Sequence, residues 1–427
     1  MKSKCSTIVA FGVLLLFLGS YLFPSLRMTG SENRTMATFD MVVHPQKDSV
    51  VYHDSPVERA EAALSDQFAF REAAVKQYLR IFNKVEDLTV GLIKLFLRRE
   101  AQQYALHPVG NYALIEDTGY ITLQPGAVPM DAGLVQRHVD QIERLHQAFP
   151  ELKLYVYYVT QAYDTAWFDG YIGARSADNY AQIVSVLPAY VMSGHLVYED
   201  LADYMDIHYR TDHHWNHKGA RRGYEDLVSL LGADFDMGTA LMPTSENRVS
   251  ETYDFVYLGS YGRALGELYA GGYDDFFFYE YDLPSRELAV LDPETREEKN
   301  VSRMGLYEEY RQGQIDRTVG ADHYIAMYGT ARDDAGTGYA DGAFPFIIRN
   351  AGGNGKNLLI VGDSYNRALR EALSAHFDTT VYMDYRTLSK LPVDYVIDRY
   401  GVDALLISSH ISMWNEEAYF FTFEGDG

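Results

Sequence analysis

Two blocks of this sequence alternate short apolar runs with amphipathic segments, and this alternation restricts the fold more than any other feature. The first block contains LKLYVYYVT at 152–160, and the second contains NLLIVGDS at 357–364, TTVYMDY at 379–385 and DALLISS at 403–409. Continuous apolar runs rich in β-branched and aromatic residues are typical of strands that are buried on both faces. Helical segments between such strands predict an α/β fold, with a mostly parallel sheet and helices on both of its faces.

The predicted helices follow from apolar spacing and from residues that end a helix. Val135, Val139, Ile142 and Leu145 share one helical face, and Pro150 ends that helix. Further helices are predicted at about 176–188, 217–232, 365–377 and 389–400, and a short strand is predicted at HLVYED, 195–200. The run at 111–126 predicts a β-hairpin with its turn near Asp117–Gly119.

The N-terminus predicts a membrane anchor. Lys2 and Lys4 precede an apolar run from Ser6 to Phe23, and no clear small-x-small cleavage site follows it. We therefore expect an uncleaved signal anchor at 1–24, a single membrane pass, and the main domain outside the cytoplasm. Cleavage of this segment would instead give a secreted protein.

The rest of the chain is predicted to form a linker and one extracytoplasmic domain. Residues 25–55 are polar and mixed in character, as in a linker, and the domain spans 56–427. It begins with a helical and hairpin extension at 56–126. A segment rich in Gly, Tyr and acidic residues at about 240–350 interrupts the alternation and predicts an irregular β-rich insertion.

Composition excludes several classes of partner and site. The net charge of −23 argues against nucleic acid, because a phosphate backbone requires a basic protein surface. Cys5 is the single cysteine, which excludes an intramolecular disulfide and a cysteine-based zinc site. No cofactor is predicted.

The stretch LLIVGDSYNRAL at 358–369 predicts a candidate nucleophile. An apolar strand ends in Gly362, Asp363 and Ser364, which lie just before a predicted helix. In α/β sheets ligands bind beyond the carboxyl ends of the strands, and backbone N–H groups at such a turn can stabilise an oxyanion. The alternative is that Asp363 or Ser364 only caps the helix.

The stretch TDHHWNHKGA at 211–220 could supply the base and the acid. A serine nucleophile needs a base within hydrogen-bond reach and an acid that orients the base. Asp212 and His214 lie two residues apart, so in an extended segment they would point the same way, with His213 pointing elsewhere. Trp215 could wall the site and limit water.

Two other interpretations of this stretch remain open. A metal site would use His213 and His217, with Asp206, His208 or Asp212 as further ligands, and would require a helical turn from 213 to 217. The third interpretation is a histidine-rich loop without chemistry.

Weaker cleft candidates are Asn366 as an oxyanion donor and Gly259 and Arg263 in GSYGR. His410 is an alternative base that lacks an adjacent acid in the sequence.

The order of these motifs resembles a known bacterial family. TDHHWNHKGA, followed later by IVGDSY, resembles the DHHW proteins and is similar to the SGNH-like O-acetyltransferases of alginate biosynthesis. The run SDQFAFREA at 65–73 is also similar to an Asp-x-Phe-x-Arg stretch in those enzymes. The resemblance spans roughly residues 56–410.

The resemblance implies a fold, a set of roles and a group of partners. It implies an SGNH-like three-layer α/β/α fold, with Asp212 as triad acid, His214 as general base and Ser364 as nucleophile. It also implies acetylation of an exported glycan, with the acetyl donor delivered by a polytopic membrane acyltransferase. One departure is His213, which stands where the alginate enzymes have threonine.

Three hypotheses for function follow. The first is an O-acetyltransferase or acetylesterase that acts on a cell-envelope or exopolysaccharide glycan. The second is a non-catalytic envelope protein that binds glycan on the same scaffold. The third is a metal-dependent hydrolase centred on His213 and His217. The separation of Ser364 Oγ from the nearer nitrogen of His214 distinguishes the first from the second.

Overall fold

The computed structural model describes residues 106–425, apart from 110, 116–117, 125–129, 169–177, 249–256, 266–269, 305–322 and 341, together with Gln77, Ile81 and Lys84. The predicted anchor, the linker and SDQFAFREA lie outside these residues. No helix among the described residues combines the length and apolarity that crossing a bilayer requires.

The chain forms two compact units, of which the smaller comprises 1–101, 258–273 and 317–321 and the larger comprises 102–257, 274–316 and 322–427. The strands, numbered in chain order, are β1 Leu106–Val109, β2 Tyr112–Ile115, β3 Ile121–Leu123, β4 Lys153–Tyr158, β5 Val191–His195, β6 Pro243–Arg248, β7 Phe277–Tyr281, β8 Arg286–Leu291, β9 Glu298–Val301, β10 Arg303–Met304, β11 Thr330–Arg332, β12 Gly338–Ala340, β13 Phe346–Asn350, β14 Asn357–Gly362, β15 Thr379–Asp384 and β16 Ala404–Ser409. The helices are α1 Ala132–Ala148, α2 Asn179–Val184, α3 Leu201–Ile207, α4 His217–Leu231, α5 Ser260–Leu265, α6 His323–Tyr328, α7 Arg370–Ser374, α8 Val393–Tyr400 and α9 Ser412–Asn415.

The larger unit is built on a sheet of eight strands in the order β5-β4-β16-β14-β15-β13-β8-β9. The first five strands pair in parallel, and the last three continue the sheet antiparallel. The prediction of an α/β fold with a mostly parallel sheet is therefore confirmed.

Side chains that alternate along each strand bury both faces of this sheet. Leu154 and Val156 face one side, where they join a core with α1 and α8. Tyr155 and Tyr157 face the other side, where the core includes α4 and α7. Burial on both faces explains the continuous apolar runs by which these strands were predicted.

The parallel strands end at one edge of the sheet, and this positions the site. Gly362 of β14 lies opposite Ser408 of β16 on one side and Asp384 of β15 on the other. Residues that follow β14 and β16, Ser364 and His410 among them, therefore emerge close together.

Several predicted elements differ from the structure. The segment predicted as one helix at 365–377 is a 3₁₀ helix, Ser364–Ala368, followed by the short α7. Helix α8 begins at Val393 rather than near 389, because Pro392 is its N-cap residue. The strand predicted at 195–200 is instead β5, Val191–His195. The hairpin at 111–126 is present as β2 paired with β3.

The predicted insertion at about 240–350 is partly integrated into the main sheet. Strands β8, β9 and β13 fall in this range and form the antiparallel side of the eight-stranded sheet. The acidic and tyrosine-rich composition of the segment did not indicate this pairing, since strands at a half-solvated edge carry mixed side chains.

Candidate active site

The turn after β14 holds Ser364 at the edge of the sheet. Asp363 has an extended backbone, and its carboxylate accepts the N–H of Tyr365 at 3.0 Å. The Asn366 Nδ2 group donates to the carbonyl of Ser408 at 2.6 Å, and so ties the turn to β16. A Cβ atom at Gly362 would collide with both Asn366 and the Ser408 carbonyl, which explains the glycine.

Ser364, His214 and Asp212 form a continuous line of hydrogen bonds. His214 Nε2 lies 2.6 Å from Ser364 Oγ, and His214 Nδ1 lies 2.5 Å from Asp212 Oδ1. A carboxylate accepts only, so the proton sits on Nδ1 and Nε2 is left to accept the serine proton. Asp212 and His214 are buried, whereas Ser364 is partly exposed. This arrangement can deprotonate a serine hydroxyl that solvent or substrate can reach.

A tight turn, rather than an extended segment, brings Asp212 to His214. Asp212 Oδ1 also accepts the backbone N–H of His214 at 2.9 Å, which is an Asx turn. The ends of this loop are joined by an antiparallel bridge between His208 and Trp215. The same carboxylate oxygen therefore fixes both the loop and the imidazole.

The prediction that His213 points elsewhere is wrong, because the chain is bent at this point. The His213 ring lies 3.9 Å from the His214 ring, and His213 Nδ1 lies 3.5 Å from Asp212 Oδ1. Burial, together with the neighbouring His214, lowers the pKa of His213, so this side chain is neutral at pH 7. The His213 carbonyl accepts the Tyr365 hydroxyl at 2.5 Å, which links the two motifs.

Trp215 does not wall the cleft as predicted, because it lies fully buried in the core. Its Nε1 donates to the carbonyl of Tyr365 at 3.1 Å. Gly223 on α4 leaves room for its ring, since a Cβ atom there would lie 2.6 Å from it, and a Cβ atom at Gly219 would collide with the Ile207 carbonyl and with Trp215 Cβ. Trp215 therefore joins the histidine-rich loop to the nucleophile segment from beneath.

Tyr324 is a site residue that the sequence did not indicate. Its ring stacks on the His214 imidazole with centroids 4.1 Å apart and planes 18° apart. Tyr324 is buried in an aromatic cluster that includes Tyr209 and Phe276. This contact fixes the plane of the imidazole from the side. No local pattern in the sequence marked this residue.

A second Asp–His pair lies directly beside the nucleophile. Asp363 Oδ2 accepts the backbone N–H of His410 at 3.0 Å and lies 2.6 Å from His410 Nδ1. Burial alone would raise the pKa of Asp363, but the charge and hydrogen bonds of His410 hold it below its usual value. The sequence shows no acid next to His410, and the structure supplies one from Asp363, which follows the neighbouring strand β14.

Three weaker cleft predictions have different outcomes. Asn366 is fully buried and directs its amide at the carbonyls of Ser408 and Asp363, so it holds the turn rather than facing the cleft. Gly259 and Arg263 lie in the smaller unit, where the Arg263 N–H donates to the Gly259 carbonyl at the start of α5. Their role in a cleft stays a prediction.

The predicted metal site does not form around His213 and His217. Asn216 is the N-cap residue of α4, so residues 213–217 are not a helical turn. His217 Nε2 lies 2.6 Å from Glu246, away from His213. Within the described part of the chain, the one close cluster of possible ligands is Asp212, His213 and His214.

Comparison with solved structures identifies the fold. Bacillus cereus PatB1 with a sulfonyl adduct matches with a TM-score of 0.57 and 16% identity, over 74% of this chain and 100% of that one. A DHHW family protein from Eubacterium siraeum matches with a TM-score of 0.54 and 15% identity, over 75% and 99%. The resemblance to DHHW proteins is confirmed at the level of the fold.

A weaker match and two negative results complete the comparison. The O-acetyltransferase domain of Pseudomonas putida AlgJ matches with a TM-score of 0.37 and 12% identity, over 74% of this chain and 95% of that one, which is too low to establish a common fold. No protein-family profile matches the chain, and no curated protein matches it in sequence.

Proposed function

We propose that this protein is an extracytoplasmic, serine-dependent O-acetyltransferase or acetylesterase that acts on a cell-envelope or exopolysaccharide glycan. The observation that carries the proposal is the hydrogen-bonded line from Ser364 through His214 to Asp212. This line lies where an α/β fold binds its ligands, at the carboxyl edge of the parallel strands.

In the first half-reaction Ser364 takes the acyl group. As Ser364 Oγ attacks the acetyl carbonyl carbon, its proton passes to His214 Nε2, and Asp212 stabilises the resulting imidazolium. The backbone N–H of Ser364, with a neighbouring donor, binds the oxyanion. The bond from carbonyl carbon to donor oxygen then breaks, and the donor oxygen takes the proton from His214.

In the second half-reaction the acetyl-serine is cleaved. His214 accepts a proton from a sugar hydroxyl or from water as that oxygen attacks the acetyl carbon. The proton then returns to Ser364 Oγ when the serine leaves. Transfer and hydrolysis therefore share every protein group and differ only in the attacking hydroxyl.

The comparisons support a serine nucleophile, and the order of the two motifs supports a glycan as the acetyl acceptor. PatB1, which shares this fold, carries a sulfonyl adduct. Sulfonyl fluorides form covalent adducts with activated hydroxyl groups, and the partly exposed Ser364 hydroxyl lies 2.6 Å from the base His214. Acetyl as the acyl group, and an exported glycan as acceptor, follow from the resemblance of the two motifs to DHHW and alginate-modifying proteins.

The proposed location rests on the N-terminal sequence. Two lysines and an apolar run of 18 residues are expected to anchor the chain in the cell membrane, with its catalytic domain outside. A polytopic membrane acyltransferase would then supply the acetyl group from the other side. Protease added to intact cells should digest the domain and leave cytoplasmic proteins whole.

The proposal is tested by hydrolysis of p-nitrophenyl acetate by the full chain. We expect Ser364→Ala to lower kcat/KM by at least about 10³-fold, because the acyl acceptor is removed. Phenylmethylsulfonyl fluoride should label the wild-type chain and leave the variant unlabelled. Ser185→Ala is a matched control, since this serine is exposed at the end of α2, lies outside the site, and donates its hydroxyl to the Gln182 carbonyl of the same helix.

One result would contradict the proposal, and another would decide between its two reactions. Full activity in Ser364→Ala would exclude the serine mechanism. If that activity were also lost with a chelator, the cluster of Asp212, His213 and His214 would become a metal site instead. Labelling of Ser364 without hydrolysis would leave transfer as the reaction, because water would then fail to attack the acetyl-serine.

A further inference from the structure

A large cavity in the larger unit adjoins the nucleophile segment. Its volume is about 1000 Å³, and its walls come from strands β7, β8 and β9, the end of α6, and the segment that follows Ser364. Ligand sites commonly have volumes between roughly 300 and 1,000 Å³. The cavity is thus large enough for several sugar rings or a ligand of similar size.

Two elements connect this cavity to the reacting groups. Ser364 and Ala368 are the partly exposed residues of the 3₁₀ helix, and Ala368 lines the cavity. At roughly 2 Å of rise per residue they are about 8 Å apart along the helix. Helix α6 places Tyr324 on His214, while its Met327 and Tyr328 line the cavity. The cavity wall therefore begins roughly 8 Å along this helix from Ser364, which is not itself one of the lining residues.

The lining offers aromatic rings together with polar groups. Phe278, Tyr279, Tyr281 and Tyr328 contribute aromatic surface. Aromatic rings pack on the apolar faces of sugars, and phenol hydroxyls can bond to sugar hydroxyls. Aromatic surface next to hydrogen-bonding groups is the combination that a glycan requires.

One guanidinium in the lining has an unused donor. Arg286 Nη2 pairs with Glu371 Oε2 at 2.5 Å. Among the described residues no group accepts a hydrogen bond from Arg286 Nη1, although this atom is buried. A ligand would instead meet the exposed parts of the paired Arg286 and Glu371 side chains, which are 22% and 32% accessible and offer a donor and an acceptor to sugar hydroxyls.

The charge of the lining selects among glycans. It contains four carboxylates, those of Glu280, Asp282, Glu287 and Glu371, against the two arginines Arg286 and Arg367. A polyanionic chain would meet a net negative surface on a protein whose total charge is −23. Neutral sugars avoid this repulsion, and amino sugars would be attracted.

We propose that this cavity is the acceptor subsite, and that it holds a neutral or amino-sugar chain beside Ser364. This inference rests on the proposed function in one respect. The bound sugar chain is an acetyl acceptor only if Ser364 carries out the proposed reaction. The binding itself does not depend on catalysis and can be measured without it.

The experiment is calorimetric titration of the full chain carrying Ser364→Ala. The three probes are a tetramer of N-acetylglucosamine, a tetramer of glucosamine and a tetramer of galacturonate. We expect the first two to bind and the third not to bind. Adding Tyr281→Ala should weaken binding by about tenfold, because an aromatic contact is lost. Tyr190→Ala removes an exposed tyrosine outside the cavity and should leave binding unchanged.

A second variant keeps the test decisive if Tyr281→Ala does not fold. Arg286→Gln keeps most of the side-chain volume and should also weaken binding. An unchanged thermal unfolding temperature would show that the weaker binding is not caused by misfolding. The inference is overturned if neither neutral nor amino-sugar tetramers bind, if galacturonate binds best, or if the cavity variants bind like Tyr190→Ala. Failure of the proposed function would appear separately, as full p-nitrophenyl acetate hydrolysis by the chain carrying Ser364→Ala.

Discussion

Asp164 is a buried carboxyl group close to the carboxyl end of β4. It accepts hydrogen bonds from the Tyr158 hydroxyl at 3.0 Å, the Gln161 N–H at 2.9 Å and Asn179 Nδ2 at 2.6 Å. Burial raises the pKa of Asp164 to about 7, although these hydrogen bonds oppose the rise. Near neutral pH this side chain is therefore only partly ionised in the folded protein.

This shift predicts how stability depends on pH. The folded state holds the Asp164 proton up to about pH 7, whereas an unfolded chain releases it near pH 4. The stabilisation of the folded state by the protonated Asp164 side chain is thus fully present below about pH 4. It is lost as pH rises through 7. Asp164→Asn should remove this loss, so its free energy of unfolding relative to wild type should rise by about 1–3 kcal/mol from pH 5 to pH 8.

Chemical denaturation of both proteins at the two pH values provides the measurement. Asp398→Asn is the matched control, because Asp398 is exposed at the end of α8. A difference between Asp164→Asn and wild type that stays the same at pH 5 and pH 8 would show that Asp164 is ionised throughout.

At the scale of single residues, the sequence predicted which residues form the site better than it predicted how they are arranged. Asp212, His214 and Ser364 come together, but they do so through an Asx turn rather than an extended segment. The partner of His410 was missed because Asp363 lies 47 residues away and meets it only through strand pairing. Tyr324 carries no local signal, since nothing near it in sequence shows that it packs on His214.

At the scale of elements, α4 and Trp215 form the support of the site. The helix begins beneath the histidine-rich loop, and its Gly219 and Gly223 lie on the side that faces Trp215. The indole then donates to the Tyr365 carbonyl in the nucleophile segment. The GARRG run at 219–223 thus lets α4 approach the loop more closely than larger side chains would allow.

Gly223→Ala is predicted to disturb this support. The added methyl would lie 2.6 Å from the Trp215 ring, so the indole must move. Overpacking of this kind costs about 1–3 kcal/mol of folding free energy. Because Trp215 also holds Tyr365, we expect ester hydrolysis to fall as well. Thermal unfolding and kcat for p-nitrophenyl acetate measure the two effects.

Gly338→Ala is the matched control for this substitution. A Cβ atom at Gly338 would meet only an ordinary contact at 3.6 Å from a Thr330 methyl. Equal stability and activity in Gly223→Ala and Gly338→Ala would show that Trp215 can shift without consequence. It would then not be the link between the two motifs.

Elements buried on both faces were the ones that the sequence predicted well. Strands β4, β14, β15 and β16 are continuous apolar runs. Burial on both faces requires apolar side chains at most of their positions, and this makes them recognisable in the sequence. The segment after Ser364 was predicted as one helix, because apolar spacing does not report that Asn366 bonds to Ser408 across the sheet. Strands β8 and β9 were placed in an insertion, because mixed edge strands lack a clear pattern.

At the scale of the whole molecule, net charge is the property that the sequence states directly. The chain carries 60 acidic residues against 37 lysines and arginines, which gives −23 at pH 7. A field of this size acts over the Debye length, which is about 30 Å at 0.01 M salt and about 8 Å at 0.15 M. Anionic substrates should therefore be repelled at low salt and much less at physiological salt.

This field predicts that salt raises the reactivity of an anionic ester and leaves that of a neutral ester unchanged. With the full chain, kcat/KM for the anionic ester mono-p-nitrophenyl succinate should rise several-fold between 0.01 M and 0.15 M salt. The value for neutral p-nitrophenyl acetate should stay constant, which makes it the control for salt effects on the reaction itself. A fall in kcat/KM for the succinate ester would mean that the entrance to Ser364 is locally basic despite the net charge. The acceptor would then have to be sought among anionic glycans, since local charge, rather than the total, decides which chain approaches the serine.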